Sequence, residues 1–272
     1  MNAWINGRRR TTVDFRDRGL QYGDGLFETM RVRGGRIRLL ELHLDRICRG
    51  CRALRIAAPG RPMLGRELAR IAARRKDGVL KLIITRGSGP RGYRPSGEER
   101  CTRIASLHAL TRAAAADLPV RLRICTTVLG SNPKLAGLKS LNRLESVLAR
   151  AEWSNARIWE GLMCDADGNF VCGTMSNLFL RRGGVLVTPL LDRCGVAGVM
   201  RRWILQQARA LNLRAVERRV RLRDLASADE VLMCNAVAGV RSVGSIERAR
   251  GATLRFACTE TADRLRLRLN AE

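Results

Sequence analysis

Long apolar runs are missing from this sequence of 272 residues, in which no stretch of about 18 consecutive apolar residues occurs. Residues 1–7 also lack the charged start and apolar stretch of a secretion signal. We therefore expect a soluble, cytoplasmic protein. Because 46% of the residues are hydrophobic, the chain has enough apolar side chains for one large domain or two modest ones.

Aromatic residues are scarce, at 4% of the sequence, and this bears on the net charge of +26. Binding of single-stranded nucleic acid needs aromatic side chains on which bases stack, and nucleic-acid-binding domains gather their basic residues in a patch or stripe. Here the arginines are spread over every segment. This distribution argues against a nucleic-acid partner and for a field that attracts small anionic substrates. A basic nucleic-acid-binding protein stays open as an alternative of a different class.

Histidine occurs only twice, at His43 and His108, which leaves few nitrogen ligands for a metal. The nine cysteines are odd in number and scattered, so we expect reduced thiols without disulfides. Cys48 and Cys51 form a C-x-x-C pair, but they lie in a predicted amphipathic helix over residues 42–54, and a zinc site needs a second ligand pair. The sequence therefore predicts no metal site.

Lysine is scarce relative to arginine, since only four of the 51 basic residues are lysines: Lys76, Lys81, Lys134 and Lys139. Schiff-base chemistry needs an amine that loses its proton, which a guanidinium does not do. A lysine in an arginine-rich chain is therefore a candidate for such chemistry. Lys76 lies in a basic run typical of a solvated turn, and Lys81 interrupts a predicted strand. The spacing of Lys134 and Lys139 does not choose between them.

Apolar strands alternate with helical stretches along the chain, and the pattern predicts a mixed α/β protein. Strands are expected at residues 4–5, 26–32, 79–85, 120–127, 161–165, 178–181 and 185–188, and helices at 41–54 and 142–153. An alanine-rich passage separates the two halves. The sequence thus predicts an N-terminal α/β domain over 1–112, a linker over 113–119 and a C-terminal α/β domain over 120–272.

Glycines open a predicted helix in residues 195–201. The first N–H groups of a helix have no backbone partner and lie at the positive end of its dipole. This arrangement suits a phosphate group, although the same glycines also fit an ordinary loop.

Several motifs follow one another in a recognisable order: residues 17–29, 43–46, 138–145, 174–179, 195–201 and 228–235. Together they cover nearly the whole chain and resemble the fold-type IV pyridoxal-phosphate family, which holds the class IV aminotransferases and aminodeoxychorismate lyases. The resemblance implies two α/β domains with pyridoxal 5'-phosphate in the cleft between them. It also implies a homodimer, with each active site near the subunit interface.

Two segments, residues 81–93 and 132–145, look most like the lyase branch of that family. The resemblance implies elimination of pyruvate from 4-amino-4-deoxychorismate to give p-aminobenzoate, a step of folate biosynthesis. A class IV aminotransferase acting on D- or branched-chain amino acids is the nearest alternative, because it shares the fold, the cofactor and the lysine.

The resemblance places both the Schiff base and the general base at Lys139, in the C-terminal domain. The residues that it implies for the cofactor are Arg46, Lys139, Cys172, Ser176, Asn177, Gly198, Val199, Met200, Asn235 and Ala236. The residues that it implies for the substrate are Arg86, Arg91 and Tyr93. Asp24 and Glu28 are predicted to shape the fold or the dimer, because each lies in a turn or strand pattern.

Cys172 departs from the family pattern, which usually has a glutamate under the pyridine nitrogen, five residues before the second residue of the Ser176-Asn177 motif. A carboxylate there keeps the ring nitrogen protonated and strengthens the ring as an electron sink. A thiol does this poorly. We therefore expect Cys172 to favour elimination to an aromatic product over transamination.

Overall fold

The computed structural model describes residues 2–110, 118–248 and 252–271. The chain divides into two compact units, of which unit 1 comprises residues 1–112 with 138–142, and unit 2 comprises 113–137 with 143–272. Both units contain helices and strands, which confirms the mixed α/β class. Residues 113–117 of the predicted linker lie outside the described residues. Within the described residues, no helix is long and apolar enough to cross a membrane.

Unit 1 is built on a six-stranded antiparallel sheet with strand order β2-β1-β6-β5-β3-β4. Its strands are β1 (Asn2–Ile5), β2 (Arg8–Arg9), β3 (Gly25–Arg33), β4 (Arg36–Ile37), β5 (Asp77–Thr85) and β6 (Thr102–His108). Its helices are α1 (Arg18–Tyr22), α2 (Leu40–Ala53) and α3 (Arg61–Ala72). The strands and the helix predicted in the first half of the chain are confirmed, with boundaries shifted by one to two residues.

Strand β3 buries alternate residues, as a half-buried strand does. Leu26, Met30 and Val32 on its core face belong to one apolar cluster with the buried face of α2. Helix and strand approach closely at Gly50, where an added Cβ would lie 2.7 Å from Cδ1 of Leu26. Glycine at this position therefore lets α2 pack tightly against β3.

Unit 2 contains a nine-stranded mixed sheet in the order β12-β11-β10-β13-β14-β7-β8-β9, with β15 paired to β14. Its strands are β7 (Val120–Ile124), β8 (Ile158–Cys164), β9 (Phe170–Gly173), β10 (Asn177–Arg182), β11 (Val185–Pro189), β12 (Arg214–Arg218), β13 (Glu230–Asn235), β14 (Gly239–Glu247) and β15 (Leu254–Arg255). Its helices are α4 (Leu144–Ala151), α5 (Val199–Gln207), α6 (Leu222–Ala226) and α7 (Glu260–Ala271), with a 3₁₀ turn at Arg209–Leu211. The strands and the helix predicted in the second half are present, with shifted ends.

Six of these strands close into a ring, because β9 pairs with both β8 and β10. The closing contact sets Cys172 opposite Asn177. On its other side Asn177 pairs with Cys234, and Asn235 follows as the last residue of β13. Ring closure thus gathers residues from three strands at one point of unit 2.

The segment that carries Lys139 departs from the predicted domain boundary. Residues 138–142 group with unit 1, whereas the sequence assigned them to a C-terminal domain over 120–272. The physical reason is backbone pairing with β3: the Phe27 N–H donates to the carbonyl of Lys139 at 3.0 Å, and the Leu141 N–H donates to Gly25 at the same distance. An isolated bridge between Leu26 and Ser140 completes this contact.

Candidate active site

Lys139 is held by extended backbone alongside β3, and its side chain reaches the aromatic ring of Phe27. Its Nζ lies 4.1 Å from the centre of that ring. Backbone hydrogen bonds to β3, at the Lys139 carbonyl and the Leu141 N–H, hold this segment in place. The amine therefore projects from a rigid element, as a reacting group should.

Burial distinguishes the four lysines, all of which lie in the described residues. Lys76, Lys81 and Lys134 are exposed, and Lys139 alone is half-buried. Lys81 also approaches the Phe27 ring, at 5.5 Å, but this lysine is exposed. A residue that reacts with a ligand is expected in a partly enclosed site rather than on an open surface. Spacing in the sequence did not choose between Lys134 and Lys139, and burial favours Lys139.

A small cavity in unit 1 brings Lys139 together with a second predicted residue, Arg46. Its lining consists of Leu26, Phe27, Glu28, Arg46, Ile47, Gly50, Leu138 and Lys139. Most of these walls are apolar, and two cationic side chains and one carboxylate interrupt them. The cavity is small, and what it shows is that Lys139 and Arg46 are neighbours in unit 1.

A buried carboxylate, Glu28, holds Arg46 in place. The Arg46 Nε donates to Oε1 of Glu28 at 2.7 Å and Nη2 donates to Oε2 at 2.5 Å, while Nδ1 of His43 lies 2.6 Å from Oε2. Burial raises the pKa of the Glu28 carboxyl, but the charges and hydrogen bonds of Arg46 and His43 outweigh this and lower the pKa to about 2. Glu28 therefore carries a full negative charge at neutral pH.

Cys172 lies in the ring of unit 2, inside an apolar cluster that also contains Cys194. Burial raises the pKa of the Cys172 thiol to about 12, and the nearby Glu160 and Cys194 act in the same direction. The group is thus a neutral thiol at physiological pH. It presents no carboxylate to a ligand at this point of the ring.

Glu160 fixes the turn that leads to the Ser176-Asn177 motif, although sequence reasoning missed it. Its carboxylate accepts hydrogen bonds from the Thr174 hydroxyl at 2.6 Å, the Ser176 hydroxyl at 2.7 Å and the Met175 N–H at 3.1 Å. The residue is fully buried on β8. The available signal was a lone acid within an otherwise apolar strand.

Asn177 connects the ring to the start of helix α5. Its Nδ2 donates to the carbonyl of Val196 at 2.8 Å, and a Cβ added at Gly198 would lie only 2.0 Å from its Oδ1. Gly198 therefore has no room for a side chain. Helix α5 begins at Val199 without an acidic residue in its first turn and without a side-chain cap. The N–H groups of Val199 and Met200 belong to this uncapped turn.

Asn235 ends β13, and Ala236 begins the turn that leads to β14. The Oδ1 of Asn235 accepts hydrogen bonds from the N–H groups of Val237 at 3.0 Å and Ala238 at 2.7 Å. The Asn235 side chain thus shapes the turn. Both residues are half-buried.

The three residues predicted for the substrate differ in their surroundings. Arg86 is largely buried, and its guanidinium donates to Asp24 at 2.7 and 3.1 Å and to the carbonyls of Arg55 and Leu54 at 2.8 Å. These bonds give Arg86 a structural role in unit 1. Arg91 and Tyr93 are exposed in the following glycine-rich loop, where the Tyr93 ring packs edge-on against Tyr22.

The predicted site residues therefore fall into two sets, one in each unit. Lys139 and Arg46 share the cavity of unit 1. Cys172, Asn177 and Gly198 cluster in unit 2. Among the described residues, no group of three or more histidine, cysteine or acidic side chains is arranged to hold a metal ion.

Comparisons with known proteins show which family the chain resembles. The family model described as amino-transferase class IV matches residues 25–246. An aminodeoxychorismate lyase of Vibrio harveyi is 35% identical, over 89% of this chain and 90% of that protein. A putative branched-chain-amino-acid aminotransferase of Methanocaldococcus jannaschii is 28% identical, over 91% of this chain and 88% of its own length. A crystal structure of 4-amino-4-deoxychorismate lyase from Pseudomonas aeruginosa superposes with a TM-score of 0.94 at 44% identity, covering 99% of this chain and 98% of that one.

The charge on Glu28 predicts a specific dependence of stability on pH. Its pKa falls from 4.5 to about 2 on folding, so its contribution is complete above pH 4.5 and is lost as the pH falls towards about 2. We expect Glu28→Gln to lower the free energy of unfolding at pH 7 by about 3–5 kcal/mol, the usual cost of breaking a buried ion pair. In urea titrations, the difference from wild type should shrink as the pH is lowered below 4.5. A difference that stays constant over this range would contradict the assignment.

Proposed function

The chain belongs to the class IV aminotransferase family, and from that premise we propose that it is a pyridoxal-phosphate-dependent aminodeoxychorismate lyase. The reaction releases pyruvate from 4-amino-4-deoxychorismate and leaves p-aminobenzoate, the precursor used in folate biosynthesis. Similarity supports this choice, because the relatives at 35% and 44% identity carry the lyase name. The single observation that carries the proposal is that Lys139, the one half-buried lysine of the four, lines the same cavity as Arg46.

The residues present fit both the aldehyde and the phosphate of pyridoxal phosphate. Lys139 offers the amine for the aldehyde, and Arg46 offers a guanidinium for the phosphate. The uncapped first turn of α5, at Val199 and Met200, offers backbone N–H groups of the kind that bind phosphate. When bound, the cofactor supplies a conjugated ring that withdraws electrons from the reacting carbon of the substrate.

Lys139 has two tasks in the proposed reaction. Its Nζ would hold the cofactor through the aldehyde and, once free of it, would be available to the ring C4–H of the substrate. There Nζ removes the C4 proton as general base. The electrons of that bond form the new ring double bond as the C3–O bond breaks, and the departing enolpyruvate takes up a proton to become pyruvate. Aromatisation of the ring makes this step favourable.

Arg91 and Tyr93 are proposed to meet the substrate, whose two carboxylates suit an arginine anchor. Arg91 is exposed in a glycine-rich loop and is therefore accessible to a ligand. Arg86, by contrast, keeps the structural role that its four hydrogen bonds give it. The arginine-rich surface adds a general attraction for this dianion.

Cys172 favours the lyase over the second candidate, a class IV aminotransferase. That candidate has support from the relative named as a putative branched-chain-amino-acid aminotransferase. Transamination depends on a strong electron sink, which a carboxylate at the ring nitrogen provides. At the corresponding position this chain has a thiol with a pKa of about 12, which supplies no negative charge.

We also propose that the enzyme is a homodimer in the cytoplasm. Helix α4 exposes three large apolar side chains at helical spacing, Leu144, Val147 and Leu148, which are 77%, 60% and 62% exposed. An apolar stripe of this kind is typical of a surface that a protein partner covers. All nine cysteines are free thiols, which supports a reducing compartment.

The reaction can be tested directly with purified protein, pyridoxal phosphate and aminodeoxychorismate. We expect p-aminobenzoate, measured by fluorescence, and pyruvate, measured with lactate dehydrogenase, to form in equal amounts. Lys139→Ala should lower the rate by at least about a hundredfold, which is the lower end of the usual contribution of a general base. Lys134→Ala, a matched change in an exposed lysine of the same loop, should retain the activity. Exchange of amino groups between alanine and a 2-oxoacid, without p-aminobenzoate, would instead support the aminotransferase.

The role of Cys172 predicts how the two activities change on substitution. We expect Cys172→Glu to raise amino-group exchange between alanine and a 2-oxoacid by about tenfold, because the carboxylate strengthens the electron sink. Cys172→Ala, which adds no charge, should leave that exchange at its wild-type level. Both activities are to be measured on the same preparations, with bound cofactor quantified by absorbance. An unchanged transaminase rate in a cofactor-loaded Cys172→Glu protein would refute this role.

A further inference from the structure

We infer that Glu28 and His43 are positioning residues for Arg46, and that through it they determine how strongly the protein prefers a phosphorylated ligand. This inference rests on the proposed function, in which Arg46 binds the phosphate of pyridoxal phosphate. It explains that preference by the orientation of the Arg46 guanidinium, which the buried carboxylate of Glu28 and the imidazole of His43 fix.

Glu28 occupies a position where an apolar residue is expected. It lies on the core face of β3 between Leu26 and Met30, and it is only 1% exposed. A charge buried at such a site destabilises the fold unless it is paired and hydrogen-bonded. Its three short contacts with Arg46 and His43, at 2.5–2.7 Å, provide this pairing.

His43 fixes the carboxylate from the other side. Because the ionised Glu28 only accepts hydrogen bonds, Nδ1 of His43 carries the hydrogen of their 2.6 Å contact. Nε2 of His43 is buried without a hydrogen-bond partner among the described residues. His43 therefore acts as the hydrogen-bond donor that orients Glu28.

The orientation of Glu28 determines that of Arg46. Two bonds from one edge of the guanidinium, Nε and Nη2, to both carboxylate oxygens fix the plane of the group. Arg46 lines the cavity together with Lys139. A guanidinium already held in place loses less entropy when a phosphate binds, so preorganisation increases affinity. The negative charge of Glu28 by itself would weaken binding of an anion. Neutralising Glu28 therefore lowers the affinity for phosphate if its positioning effect dominates, and raises that affinity if its charge dominates.

Unit 1 offers a matched control for an effect on stability alone. Glu67 forms an ion pair with Arg103 at 2.9 Å, and the two side chains are only 9% and 11% exposed. Neither residue belongs to the cavity lining. Glu67→Gln thus removes a comparably buried carboxylate charge without touching Arg46.

The experiment compares the affinity of the cofactor-depleted, full-length protein for pyridoxal phosphate and for pyridoxal, which lacks the phosphate. The preference for phosphate is the dissociation constant of pyridoxal divided by that of pyridoxal phosphate. We expect Glu28→Gln and His43→Leu each to lower this ratio by at least about tenfold, the effect of losing one charge-assisted hydrogen bond. His43→Asn, whose amide donates from a position close to that of Nδ1, should keep the ratio. Glu67→Gln should also keep it, whatever its effect on thermal stability.

The outcomes separate this inference from the function on which it rests. If Arg46→Ala abolishes the preference for phosphate but Glu28→Gln and His43→Leu retain or increase it, the positioning role is overturned while the proposed function stands. If Glu28→Gln does not fold, the contrast between His43→Leu and His43→Asn decides the question. A wild-type protein that fails to bind pyridoxal phosphate would overturn both.

Discussion

The backbone pairing of residues 138–142 with β3 is the interaction on which the candidate site depends. Two hydrogen bonds of 3.0 Å, from Phe27 to Lys139 and from Leu141 to Gly25, hold an otherwise irregular segment in extended form. This pairing leaves Lys139 half-buried beside the cavity that Arg46 also lines. Without it, the lysine would be one more amine in a surface loop, as Lys134 is.

Each unit then uses a buried carboxylate to place its functional groups. In unit 1, the close contact of Gly50 with Leu26 brings α2 onto β3, and Glu28 receives Arg46 and His43 from that helix. In unit 2, Glu160 fixes the turn before Asn177 through hydrogen bonds to two hydroxyls and the backbone. Carboxylates in these positions accept several directed hydrogen bonds, which makes them effective at fixing loops and side chains.

The sequence predicted much of the fold, because strand alternation, glycine turns and the amphipathic pattern of α2 are local signals. It did not predict that residues 138–142 join unit 1, since pairing between segments more than a hundred residues apart leaves no local pattern. Motif resemblance placed Lys139 and Arg46 together, but it also assigned Arg86 to the substrate, whereas Asp24 and two carbonyls engage that side chain. Glu28 and Glu160 carried a readable signal, an acid on the buried side of an apolar strand.

The central claim is that the amine of Lys139 is the group that binds the aldehyde of pyridoxal phosphate. Reduction of the cofactor-loaded protein with borohydride, followed by peptide mass spectrometry, tests this claim most directly. The account predicts a stable pyridoxyl group on Lys139 and on no other lysine. A pyridoxyl group on Lys76, Lys81 or Lys134 in its place, or a protein that remains unlabelled after incubation with the cofactor, would contradict it.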